Sequence, residues 1–501
     1  MIINLFGGFN MEKRWILVID GYEGIRKNAI NMFNGYIAGL VSYVLPIKMV
    51  SELTEDDIKE NNIIAVGSVN THSILSSYAK LNLIDVPNKE ESYSIFVGKP
   101  NKEDKDDEET YTIAIAGYDD NGVLYGCMEF INSYLGDYIH RSGYVWGEKH
   151  YKNILERGLN EFKCSNHPKL KTRAIWTWGY VIYDYRAFFE NMAKLKLNEI
   201  VIWNDFVPFN AKDIVDYAHS YGIKVIWGFS WGWFAKLKTK LNEICSEEGL
   251  KQIKEGVLSV YDKQYSTMNA DGIYFQSFTE LSESMINDKP IAEIVTELVN
   301  DIGGELLKIN PELHIQFGLH ATSVKPYLDI LRKLDKRIYI VWEDCGSFPY
   351  AYRSEVVENF EDTLKFTEEI LTLRGSDEKF GVVLKGMSNL DWGTFEHHHN
   401  KSYIMGTYNK KFIQEREVIR GKIWKIALGG WIKNADYYRQ IIEAIAKNGE
   451  NSIVQALVED GMFEYKITLP VAIYAETLWD STSKSEEIIY KVSKSPIVDN
   501  E

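Results

Sequence analysis

Apolar residues along the chain occur either as short β-rich runs or at helical spacing, and the order of the two kinds changes near residue 170. Before that point, Trp15–Ile19, Ile63–Gly67, Tyr93–Val97 and Tyr111–Ala116 are short runs bounded by Gly, Asn or charged clusters, the pattern of strands. GVLYGCMEFINSYL (122–135) repeats its apolar residues at helical spacing, opened by Asn121 and closed by Gly136, and predicts a helix. The charge run NKEDKDDEE (101–109) reads as a solvated loop between two strands. Residues 1–165 are thus expected to form a small α/β domain, without the residue set for chemistry.

From Lys171 strands and helices alternate. Arg173–Trp178, Glu199–Trp203, Lys224–Phe229, Gly272–Phe275, His314–Leu319, Arg337–Trp342 and Gly381–Lys385 are strand candidates, with helices such as Phe188–Leu197 and Ala211–Tyr221 between them. Seven such strands, mostly 25–45 residues apart, predict an α/β fold in which a (β/α)8 TIM barrel spans 166–410. The eighth strand has no clear sequence signal. An open doubly wound sheet would carry a Gly-rich phosphate loop after its first strand, and TWGYVIYDY is not one. Phe412–Ala427, Ala435–Ala446 and Ser485–Val492 are amphipathic, so 411–501 reads as a helical C-terminal region that closes the barrel, packs beside it or offers a homodimer surface.

Charge and composition narrow the function. With 56 basic and 72 acidic side chains the net charge is -16, which argues against nucleic-acid binding. No window reaches 18 apolar residues, so no membrane span is expected. The start MIINLFGGFNMEKRW lacks the features of a secretory signal, and four scattered cysteines (Cys127, Cys164, Cys245, Cys345) suit a reducing cytoplasm. Aromatic residues are 13% of the chain, including 13 Trp and 31 Tyr, which suits flat sugar rings as well as a large core.

Barrel active sites lie at the C-terminal ends of the strands. Those ends carry Trp176 and Trp178; Trp203, Asn204 and Asp205; Trp231 and Trp233; Gln276, Ser277, Thr279 and Glu280; His320; Trp342, Glu343 and Asp344; and Asn389, Asp391 and Trp392. Acids, amides, His and Trp gather at one face. Two carboxylic acids facing a Trp-lined cavity are what glycosidic cleavage needs: one protonated to donate to the leaving oxygen, the other ionised to attack or to activate water. A nearby Trp supplies a sugar platform and a low-polarity wall that raises the acid's pKa. The run His397-His398-His399 has no accompanying metal-ligand spacing, and no metal or cofactor is expected.

YTIAIAGYDDNGVLYGCMEFINSYL (111–135) resembles the N-terminal domain that precedes the barrel in family 67 α-glucuronidases and family 20 β-hexosaminidases. TRAIWTWGYVIYDYRAFFENMAKLKLNEIVIWND (172–205) is similar to the opening of those barrels, and DIVDYAHSYGIKVIWGFSW (213–231) to their third unit. The resemblance covers roughly 110–235 by motif. It implies that Glu280 stands where both families place the acid that protonates the leaving group. It places Glu343 or Asp344 at a glucuronidase base, with Asp391 after the seventh strand. Substrate-assisted hexosaminidases carry Asp just before that acid, where this chain has Thr279. A basic cluster for a uronate is not evident, although Arg173 and Lys385 lie on barrel strands.

The expected protein is therefore a cytoplasmic, cofactor-free glycoside hydrolase acting on short oligosaccharides or glycoconjugate fragments. Glu280 is the expected acid and Glu343 the base or nucleophile, with Asp344 and Asp391 as alternates. Trp176, Trp178, Trp203, Trp231, Trp342 and Trp392 line the sugar subsites, and Asn204 and His320 bond sugar hydroxyls. The rivals are a non-catalytic carbohydrate-binding barrel and a metal-assisted hydrolase that uses His320 with the acids.

Overall fold

Runs rich in Ile, Val and aromatic residues pair into two separate sheets, because such side chains fit a pleated surface covered on both faces. The computed structural model describes residues 13–100, 110–137, 155, 159–178, 181–203, 206–231, 240–345, 358–388, 402–411, 413–418, 432–459 and 462–499. The chain divides into two units, Met1–Pro168 with Lys494–Pro496, and Lys169–Ser493 with Ile497–Glu501. The acidic run 101–109 lies outside the described residues.

The first unit is a six-stranded sheet. Its strands are β1 (Arg14–Ile19), β2 (Ile47–Met49), β3 (Asn61–Ser68), β4 (Tyr93–Gly98), β5 (Thr112–Gly117) and β6 (Phe162–Asn166), in the order β2-β1-β3-β5-β4-β6. β1, β2, β3 and β5 run parallel, while β4 is antiparallel to β5 and β6. One core cluster joins Val18, Ala65, Leu75, Ala114 and Ala116. The expected helix begins at Asp120, where Asp119 rather than Asn121 caps it by accepting from the Gly122 amide at 2.7 Å. It stays α-helical to Glu129 and continues as a π-helical turn over Phe130–Leu135.

The second unit is a closed barrel of eight parallel strands. They are β7 (Thr172–Trp178), β8 (Glu199–Trp203), β9 (Lys224–Gly228), β10 (Gly272–Gln276), β13 (His314–Leu319), β14 (Ile338–Cys345), β15 (Phe380–Ser388) and β16 (Ser452–Glu459). A short hairpin, β11 (Met285–Ile286) and β12 (Lys289–Pro290), sits between β10 and β13; its turn uses Asn287 and Asp288 at positive φ. All seven predicted barrel strands are present, within a few residues of the expected bounds.

The eighth strand, β16, pairs with β15 and β7 and so closes the barrel from inside 411–501. The barrel accordingly runs well past residue 410, and the expected separate helical region belongs to the barrel unit. Its run SIVQALVE carries Gln455 at a buried position, which breaks the apolar signal. Helix Leu469–Trp479 is buried from Pro470 to Trp479, so it has no polar face for periodicity to reveal. Helix Ala435–Ala446 buries Tyr438, Ile441, Ile442 and Ile445 within the chain. Among the described residues no helix is long and apolar enough to cross a membrane.

Alternation along the strands points Ala174, Trp176, Val201, Trp203, Ile226, Tyr274, Tyr339, Val341, Val383, Ile453 and Leu457 into one buried cluster. Trp203 finds room because Gly228 faces it on β9, where any Cβ would strike the indole. The same interior holds a polar bridge. Gln316 donates to Glu199 Oε1 at 2.9 Å, and Gln455 donates to Gln316 Oε1 at 2.6 Å, tying β8, β13 and β16 across the barrel.

Burial pushes the Glu199 carboxyl up to about 7, against the smaller opposing pulls of the Gln316 bond and Lys224. A carboxyl with a raised pKa in the folded state stabilises fully below its unfolded value and loses that contribution as pH rises through 7. Glu199→Gln should therefore flatten the fall in stability between about pH 4.5 and 7, and leave the variant more stable than wild type above pH 7 by up to about 3 kcal/mol. Thermal unfolding of both proteins across that range checks this. An unchanged pH slope in the variant would sink it.

Candidate active site

β10, β13 and β15 bring four side chains, three of them named in the sequence analysis, to one carboxylate on β14. Inward alternation on β14 through Tyr339 and Val341 carries Glu343 into the barrel, where it is 0% exposed. β10 supplies two donors two residues apart: Tyr274 Oη donates to Glu343 Oε1 at 2.7 Å, and Gln276 Nε2 reaches Oε1 at 2.6 Å and Oε2 at 2.5 Å. From β13, His320 Nε2 lies 3.0 Å from Oε2; from β15, Lys385 Nζ lies 3.7 Å from the same oxygen. Gly318 makes the space, since a Cβ there would collide with Glu343 Oε1 and Tyr274 Oη.

Burial by itself would raise the Glu343 pKa. The adjacent His320, with its charge and hydrogen bond, then Lys385 and the Tyr274 hydroxyl, outweigh it and hold the carboxyl below the usual carboxylate range. Glu343 is thus an ionised group walled in by donors. Glu280 differs: its side chain is 49% exposed, and its Oε2 stands 3.9 Å from the same His320 Nε2. One imidazole nitrogen therefore faces a buried carboxylate on one side and a solvent-facing carboxylate on the other.

The aromatic residues are placed otherwise than expected. Trp342 points out of the barrel, where its ring meets Phe366 edge-on at 5.2 Å, so it is a packing residue between β14 and helix Phe360–Leu371. Trp231 is fully buried and stacks on Phe275 at 3.5 Å, and Phe275 stacks on Phe317. Both are core contacts, and neither lines a subsite in this structure. Trp176 and Trp203 do point inward but are 0% and 6% exposed, packed 5.6 and 6.1 Å from the Tyr274 ring. They form an apolar floor beside the hydroxyl that holds Glu343, not an open platform.

His320, expected to bond sugar hydroxyls, is 4% exposed, and its Nε2 lies against two carboxylates. Asn204, Asp391 and Trp392 lie outside the described residues, and Trp178 and Asp344 sit on β7 and β14 outside the described side chains. No group of three His, Cys, Asp or Glu side chains suited to a metal ion occurs among the described residues.

Two contributors, Tyr274 and Gly318, have no obvious sequence signal of their own, and a buried acid, Glu464, lies outside the cluster. Tyr274 stands two positions before Gln276, and strand alternation alone puts both inside. Gly318 shows only through what it leaves empty. Glu464, after β16, accepts from the Asp184 amide and lies 3.4 Å from Arg416 Nη1; burial, opposed by Arg416, pushes its carboxyl up to about 7. Its neighbour Phe463 accepts from Asn191 Nδ2 at 2.7 Å, so this turn fastens the loop after β7 and has no free carboxylate to offer.

No protein-family model matches the sequence, and no curated protein matches it. Among solved structures the chain is similar to CpGH84B, at 14% identity and TM-score 0.49, covering 95% of this chain and 70% of that one. It is similar to a β-N-acetylhexosaminidase from Bacteroides fragilis at 12% identity and TM-score 0.47, covering 96% and 90%. A GH20 β-N-acetylhexosaminidase from Streptomyces coelicolor aligns at 9% identity and TM-score 0.48, covering 96% and 91%. The closed parallel barrel rests on its own strand pairing.

Proposed function

We propose that the protein is a glycoside hydrolase acting on short oligosaccharides or glycoconjugate fragments in the cytoplasm, with Glu280 as the proton donor. The observation that carries this reading is the line Glu343–His320–Glu280 at the C-terminal end of the barrel, with Glu280 facing solvent. Glu280 gives its proton to the leaving oxygen as the bond from that oxygen to the anomeric carbon breaks. His320, held charged-side to the buried Glu343, stabilises the Glu280 carboxylate that remains. Glu343 cannot itself meet water or an anomeric carbon while Tyr274 and Gln276 cover it, so it anchors His320. The second carboxylate then falls to Asp344 or Asp391, the sequence neighbours of the two adjacent strand ends.

Thr279 favours a substrate that needs no acid beside Glu280. Its side chain is buried and accepts from the His320 amide at 3.3 Å, so the position before the donor serves the backbone.

Two outcomes test the assignment. Glu280→Gln should lower turnover of alkyl glycosides by about 10²–10⁴-fold, the scale of general acid catalysis, and far less for dinitrophenyl glycosides, which leave without protonation. Equal losses on both substrate kinds would remove Glu280 from the donor role. Wild type with no activity on any aryl glycoside would favour a sugar-binding barrel instead.

Glu343→Gln should destabilise the protein by about 3–5 kcal/mol at neutral pH, because Lys385 and His320 lose their buried counter-charge. Since the folded pKa of Glu343 is depressed, wild type should lose this contribution as pH falls below the ordinary carboxylate range. The gap in denaturant midpoint between the two proteins should therefore narrow on acidification. A gap independent of pH would count against an ionised Glu343.

A further inference from the structure

The backbone on either side of the Glu280–His320 pair is strained. Phe278, two residues before Glu280, has φ +41°, and Ala321, directly after His320, has φ +67°. Neither residue has the short polar side chain that eases a left-handed conformation, and Cβ crowds the carbonyl in both. Conformations of this kind persist where surrounding contacts over-determine them.

Those contacts converge on one serine. The Ser323 amide donates to the Thr279 carbonyl at 3.1 Å, and the Ser323 hydroxyl donates to the Phe278 carbonyl at 2.9 Å. In the other direction the His320 amide donates to Thr279 Oγ1 at 3.3 Å. Ser323 and Thr279 are 0% and 1% exposed, so water does not compete for these bonds. Three hydrogen bonds thus clip the turn after β10 to the turn after β13. The imidazole of His320 is already held from below by Glu343 on β14, with Lys385 of β15 behind it. Glu280 hangs from the clipped backbone, half exposed, and its approach to His320 follows from where that backbone is held.

We infer that Ser323, acting with Thr279, is a positioning residue that sets the separation between Glu280 and His320. Its place in catalysis rests on the hydrolase reading; the geometric coupling does not. Charge coupling at about 4 Å falls off quickly when a side chain swings into solvent, so loosening the clip should weaken the link between the two groups before it affects the rest of the barrel.

The test is a histidine titration that needs no substrate. With ring-labelled histidine, and His320→Gln to assign the resonance among the ten histidines, NMR follows His320 directly. In wild type, Glu280→Gln should lower the pH at which His320 titrates by several tenths to about one pH unit, since a neighbouring carboxylate favours imidazolium. In a Ser323→Ala background the same change should move His320 less than half as far. Thr279→Val, nearly isosteric, should act in the same direction and serves if Ser323→Ala does not fold. An equal shift in both backgrounds, or none in wild type, would overturn the positioning role. Failure of wild type to turn over aryl glycosides would overturn the hydrolase reading and leave the titration result standing by itself.

Discussion

A single ionised carboxylate inside the barrel constrains more of this structure than any other group. An uncompensated charge there would cost several kcal/mol, so the donors around Glu343 are conditions of folding. Tyr274 and Gln276 must both face inward on β10, His320 must close over the top from β13, and Lys385 must reach in from β15. Strand register is the variable that delivers them. β10 pairs Tyr274 with Gln316 and Gln276 with Gly318, and β13 pairs Gly318 with Val341. A one-residue slip in either pairing would turn the donors outward and put a side chain where the carboxylate lies.

The barrel interior holds two fully buried glutamates whose ionisation is driven in opposite directions. Glu199 accepts from an amide, and burial dominates, raising its pKa. Glu343 is buried to the same degree, yet an imidazole, an ammonium and a phenol outweigh desolvation. The donors decide, not the depth. Between the two acids lie Trp176, Trp203 and Tyr274, with ring centroids 5.6–6.5 Å apart. This apolar layer separates a polar bridge that ties strands together from a charged cluster that faces the mouth. Of the tryptophans expected to line sugar subsites, Trp176 and Trp203 belong to this layer, while the buried Trp231 and Trp342 pack on Phe275 and Phe366.

Strained backbone occurs on both sides of the Glu280–His320 pair. Phe278 and Ala321 adopt left-handed backbone beside Glu280 and His320, while several other non-glycine residues that do so are Asn or Asp. Local propensity would not choose Phe or Ala for such a turn, and the buried bonds of Ser323 hold both turns in place.

The order of strands and helices and the (β/α)8 class are legible along the chain, because short apolar runs and helical periodicity are local signals. Glu280, His320 and Glu343 could be singled out since each follows an apolar strand. The closing strand β16 was hidden, as its central Gln455 makes sense only opposite Gln316, a residue 139 positions away. Helix Leu469–Trp479 lacked a signal because burial on all sides erases amphipathicity. Which of two neighbouring residues, Trp342 or Glu343, turns into the barrel is settled by the assembled sheet. The strand period allows either, and the register of the neighbouring strands selects one. The tertiary structure also decided that Glu343 is enclosed while Glu280 meets solvent. That distinction depends on the donors Tyr274, Gln276 and Lys385 and on the gap at Gly318, which come from three separate strands and meet only when the barrel closes.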